Sequence, residues 1–83
     1  MNTSIAHQIA EIGYNASALT LYGSYAQMHD GTIKRFPSGV QIQEKRNDKG
    51  RCTKVVYRYA DGSELTFTWS ENNGSKFTAK RGN

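Results

Sequence analysis

Five cations in the second half of the chain, Lys45, Lys54, Arg58, Lys76 and Lys80, are interleaved with Gln41, Gln43, Thr66 and Thr68. Lys and Arg bring charged donors to a phosphate or a carboxylate, and Gln and Thr add neutral hydrogen bonds that position it. The chemistry available to such a set is recognition of an anion.

Residues suited to bond making are sparser. His7 and Glu11 stand at i and i+4, a spacing that on a helix can place two ligands on one metal or orient an imidazole with a carboxylate. Two ligands do not complete a site, and the pair also reads as a solvated helix face. His29 precedes Asp30-Gly31, where turn chemistry accounts for it. Cys52 lies between Arg51 and Lys54, which could activate a thiol; a lone Cys at a strand end also reads as passive. No nucleophile elbow, phosphate-cradling glycine loop or paired zinc cysteines occur. Neither a metal nor a cofactor is expected. A small ribonuclease would need a base, an acid and a phosphorane-stabilising cation on a sheet; His29, Glu44 and Arg58 are the candidates.

The chain has 83 residues, enough for one core. It is 36% hydrophobic, with five Tyr, three Phe and one Trp to fill that core, so disorder is not expected. One cysteine excludes an internal disulfide framework. The start, "MNTSIAHQIAEIG", lacks a cationic, apolar leader, and no apolar run reaches membrane-spanning length. A cytoplasmic protein is expected, so the Asn-X-Ser triplets at Asn2, Asn15 and Asn73 are not read as glycosylation acceptors. Charge is distributed unevenly. Residues 1–33 carry Glu11 and Asp30 and no Lys or Arg, whereas all eleven cations and five acids follow. The first part is therefore −2 and the rest +6, which suggests a surface for an anionic partner; solubility alone would also be served.

The elements that must position these residues follow from periodicity. Ile5, Ile9 and Ile12 recur at helical spacing, with Thr3 or Ser4 to cap the start and Gly13 to end the helix, predicting a helix over 4–12. Residues 14–19 read as a connection. From Thr20 onward, short alternating runs are divided by "HDG", "PSG", "NDKG", "ADG" and "NNG", the pattern of an antiparallel meander of five or six strands. Residues 20–28, "TLYGSYAQM", could be helix or strand, and Gly23 with the tyrosines favours a bulged strand. The fold class is α+β, with the short helix packed on one face of the sheet.

Hairpin parity assigns the faces, because residues opposite one another share a side. A three-residue loop over "ADG" pairs Arg58 with Glu64, Tyr57 with Leu65 and Val55 with Phe67, matching apolar to apolar; it also places Gly62 at the left-handed position. The same rule over "NNG" pairs Trp69 with Phe77 and Phe67 with Ala79. A four-residue loop over "NDKG" pairs Ile42 with Val55 and Val40 with Tyr57. A "PSG" loop turns Phe36 and Lys34 inward and Ile33 and Arg35 outward, a local conflict. The core face then holds Val40, Ile42, Val55, Tyr57, Tyr59, Leu65, Phe67, Trp69, Phe77 and Ala79. The other holds Gln41, Gln43, Lys45, Cys52, Lys54, Val56, Arg58, Glu64, Thr66, Thr68, Lys76, Thr78 and Lys80.

That polar face is the expected working surface of a small non-enzymatic binding protein. Its partner would be an acidic protein surface or a nucleoprotein complex, which the chain would serve as inhibitor or adaptor in the manner of single-domain phage and mobile-element proteins. The alternative is a domain that grips a nucleic-acid backbone, although the aromatics that single-strand binders expose are here turned inward. No membrane contact is expected, and the oligomeric state is left open.

Overall fold

The computed structural model describes residues 4–13, 16–20 and 25–82. Helix α1 spans Ile5–Gly13. Seven strands follow: β1 (Ala16–Thr20), β2 (Tyr25–Met28), β3 (Ile33–Arg35), β4 (Val40–Arg46), β5 (Cys52–Arg58), β6 (Glu64–Ser70) and β7 (Gly74–Lys80). All pairings are antiparallel, giving an α+β fold with the helix against the strands.

The helix begins where its free N–H groups find oxygen. Ser4 Oγ accepts the His7 N–H at 3.1 Å, and the Ser4 carbonyl accepts that of Gln8 at 3.0 Å. The other two come from far along the chain. Asp61 Oδ2 accepts the Ile5 N–H at 2.9 Å, and the fully buried Ser63 Oγ accepts that of Ala6 at 3.1 Å. The β5–β6 turn therefore caps the helix and fixes it on the sheet. Ala6 and Ile9 are fully buried there, with Ile5 and Ala10 packed beside them. Their core partners are Val55, Tyr57, Tyr59 and Leu65, with Leu19, Phe36, Phe67, Phe77 and Ala79 at the margin.

The expected single meander is divided into two sheets, β1-β2-β3 and β4-β5-β6-β7. The division falls at Phe36-Pro37-Ser38-Gly39. Pro37 has no N–H to give a ladder, and a Cβ on Gly39 would stand 2.6 Å from the Tyr59 ring. The segment is a link, not a hairpin. Strand β3 ends at Arg35, so alternation no longer binds Phe36, which packs on the core while Ile33 and Lys34 stay exposed. That resolves the conflict in 32–36. Residues 16–19 of the expected connection belong to strand β1, which runs Ala16–Thr20, and Tyr25–Met28 is strand β2. The bulge expected at Gly23 lies outside the described residues.

One turn recurs three times. His29-Asp30-Gly31, Asp48-Lys49-Gly50 and Ala60-Asp61-Gly62 are each three-residue loops in which Met28, Asn47 or Tyr59 donates its N–H to the carbonyl of Thr32, Arg51 or Ser63 and accepts at its own carbonyl from the loop glycine N–H. Each ends on a glycine with φ between 81° and 91°. The β5–β6 register is the expected one: Val55 opposite Phe67, Tyr57 opposite Leu65, Arg58 opposite Glu64. In the β6–β7 hairpin, Phe67 stands opposite Phe77 and Trp69 opposite Ser75, two positions from expectation. Ser70 Oγ accepts the Asn73 N–H at 3.1 Å and ends strand β6 early. A shift of two keeps every side chain on its expected face.

Strand β4 departs more. The loop after it has three residues, not four. Asn47 Oδ1 accepts both the Lys49 and the Arg51 N–H at 3.0 Å, which draws Asn47 into the ladder. The strand is shifted accordingly, with irregularities between Gln41 and Gln43 and between Lys45 and Arg46. Val40 now stands opposite Arg58 and Gln41 opposite Tyr57. Val40 and Ile42 are 67% and 43% exposed and leave the core set. Trp69 also lies outside the core cluster; the Arg51 guanidinium sits 3.7 Å above its ring. Cys52, expected on the polar face, packs against the core.

Candidate functional site

The helix and the core margin residues occupy one side of the four-stranded sheet. On the opposite side, the registers of β4 to β7 arrange the outward residues in three rows. One row reads Lys45, Lys54, Thr68, Lys76. The middle row reads Gln43, Val56, Thr66, Thr78. The last reads Val40, Arg58, Glu64, Lys80.

Eight of the nine residues singled out from the sequence share this face: Gln43, Lys45, Lys54, Arg58, Thr66, Thr68, Lys76 and Lys80. Gln41 does not. The shift of β4 turns it to the core side, where Tyr57 Oη donates to Gln41 Oε1 at 3.4 Å.

The cations are not equivalent. Arg58 is held by Glu64, with Nη2 2.9 Å and Nε 3.2 Å from Oε2. Lys80 stands directly opposite the same carboxylate. One of the two cations in the third row is thus neutralised from within. Among the described residues no carboxylate lies within ion-pair distance of Lys45, Lys54 or Lys76. Lys45 and Lys54 face each other across adjacent strands, and like charges so placed destabilise a sheet. Lys54 is half-buried, which makes its uncompensated charge more costly. With strands about 4.8 Å apart, the three lysines span roughly 15 Å.

Elsewhere the candidates disperse. Ser4 Oγ hydrogen-bonds His7 Nδ1, so His7 belongs to the helix cap. His29 lies in the β2–β3 turn, and Glu44 pairs with Arg46 at 3.1 Å. His29, Glu44 and Arg58 therefore belong to three separate arrangements: a turn of the small sheet, an ion pair on β4, and an ion pair with Glu64. Among the described residues no three or more His, Cys, Asp or Glu are grouped as metal ligands. No described helix is long and apolar enough to cross a membrane.

Sequence reasoning missed Val40 and Ile42, which flank the cationic face instead of filling the core. The signal was present in the turn: the rule that placed Gly62 at the end of a three-residue loop also applied to Gly50. The fold and this face define a small α+β protein with one open, cation-bearing sheet surface. Comparison with protein-family models, with curated proteins and with solved structures returns no match to the chain.

Proposed function

We propose that the chain is a small non-enzymatic binding protein whose open sheet face engages an acidic protein surface or nucleoprotein complex, as an inhibitor or adaptor. The observation that supports this reading is the lysine row. Lys45 and Lys54 are directly opposed, Lys76 lies one strand further on beyond Thr68, and among the described residues none of the three has a counter-charge. An arrangement unfavourable in the isolated sheet becomes favourable when an anionic surface covers it. The neutral row beside it, with Val56 buried between Gln43 and Thr66, gives a smooth surface of hydroxyls and amide against which a folded partner can pack.

A nucleic-acid backbone is the second reading, since lysines spaced along a sheet can also track phosphates. Phe67, Trp69 and Phe77 are on the other side, so this face lacks a stacking platform for bases. Binding of that kind would be indifferent to sequence.

Lys54→Glu combined with Lys76→Glu tests the proposal. Lys76 is exposed and Lys54 half-buried, so the surface-scale cost of about 0.5 kcal/mol applies to Lys76→Glu, and circular dichroism checks that the double variant keeps its fold. Wild type should retain a stoichiometric protein from source-cell extract that the double variant does not, with retention falling as salt rises. Retention of the same protein by the variant would contradict the face assignment. Tight binding to random duplex or single-stranded nucleic acid, with a steep salt slope and no protein retained, would favour the second reading.

A further inference from the structure

Val40 and Ile42 raise a separate question. A surface valine 67% exposed beside an isoleucine 43% exposed is an apolar pair on a strand otherwise made of Gln, Glu, Lys and Arg. The two lie along a groove of about 390 Å³ with Arg58, Tyr59 and Ala60. It opens at the third-row end of the cationic face, since Val40 stands opposite Arg58. Among the described residues strand β4 is also an edge, paired with β5 alone.

We infer that the acidic partner docks through an extended segment that seats one apolar side chain between Val40 and Ile42 and lays its carboxylates along the cations beyond. This rests on the acidic-partner reading above and adds the anchor. Charge selects the occupant. Arg58 borders the groove, Lys45 and Arg46 follow on the same strand, and Lys54 stands opposite Lys45. The nearby acids, Glu44 and Glu64, are already bound to Arg46 and Arg58. A phosphate backbone would satisfy the cations and leave Val40 and Ile42 in water. A second copy of this chain would bring Lys45 and Lys54, which have no carboxylate partner among the described residues, against their own kind. An acidic segment with an apolar residue complements both features. The irregularities of β4 around Ile42 and Lys45 twist the edge and restrict any added strand to a short pairing, so side-chain anchoring carries the contact.

Two synthetic peptides, rich in Asp and Glu and differing only in a central leucine or serine, test this. Wild type should bind the leucine peptide at least about tenfold more tightly, the scale set by burying one such side chain. In Val40→Ser/Ile42→Ser that preference should vanish while salt-sensitive binding of both peptides remains. The exposure of both residues makes the variant a fair test of fold retention by circular dichroism. Equal affinity of the two peptides for wild type overturns the groove, and if Lys54→Glu/Lys76→Glu still abolishes binding, the cationic face survives its loss. If neither peptide binds wild type, both inferences fall.

Discussion

Asp61 shows how much one exposed side chain can organise. Its carboxylate accepts from the Ser63 N–H and hydroxyl within its own turn and from the Ile5 N–H at the start of the helix. The Ser63 hydroxyl, followed by the Ile5 N–H, holds its pKa below the usual 3.8. A carboxylate with a depressed folded-state pKa stabilises the fold above its unfolded value, and that contribution is lost as pH falls through the folded value. Asp61→Ala should therefore lower the melting temperature at neutral pH, with the gap to wild type closing below about pH 3.8. Asp30 is a built-in comparison. It makes the same turn contact, with Thr32 at 2.8 Å, and its pKa is lowered first by that side chain. Its contacts stay within its own turn, so Asp30→Ala should have the smaller effect. Equal effects of the two variants would show that the helix cap contributes nothing. Gly39 carries a steric constraint. A methyl group there would stand 2.6 Å from the ring of Tyr59, whose hydroxyl burial and the nearby Tyr57 push up to about 12. Gly39→Ala should cost about 1–3 kcal/mol by overpacking, read from urea denaturation. An unchanged midpoint would mean that the link between the sheets moves freely away from Tyr59.

At the scale of elements, legibility tracked how strongly each strand alternates. Strands β5 and β6 carry Val55, Tyr57, Leu65 and Phe67 on one side and, apart from Val56, polar residues on the other, so any one-residue slip would bury charge, and parity alone fixes the register. Strand β4, Val-Gln-Ile-Gln-Glu-Lys-Arg, has only two apolar residues, and all seven are exposed. Burial exerts little hold on such a strand, and the hydrogen bonds of Asn47 decide its register instead. The division into two sheets was legible in Pro37, but only if its missing donor is weighed above the regular spacing of turns. The lysine row was recovered because shifts of two in β7 and at Gln43 and Lys45 of β4 preserve faces; Gln41 was lost because β4 is shifted there by one position. Leu65→Ala, in the fully buried centre, should cost about 2–5 kcal/mol, whereas Ile42→Ala should cost well under half of that. Comparable losses from the two would return β4 to the core and undo the assignment of its faces.

On the scale of the whole molecule, one side of the larger sheet is used to hold the fold together and the other is left carrying charge. The excess of +6 after residue 33 is not spread evenly over that open side. Arg58 is paired with Glu64 and Lys80 stands opposite the same residue, while Lys45, Lys54 and Lys76 have no carboxylate partner among the described residues. A protein that needed positive charge only for solubility could hold it anywhere on its surface. In the proposed function position, not total charge, sets partner binding, and a matched pair of variants separates the two. Lys54→Glu/Lys76→Glu and Lys34→Glu/Lys49→Glu change net charge equally. The first pair lies in the lysine row, and the second lies on β3 and in the β4–β5 turn. Affinity for the acidic leucine peptide should collapse in the row variant and stay within a few-fold of wild type in the other, at the same ionic strength. Equal losses in both variants would reduce the open face to a solvated surface and contradict the account.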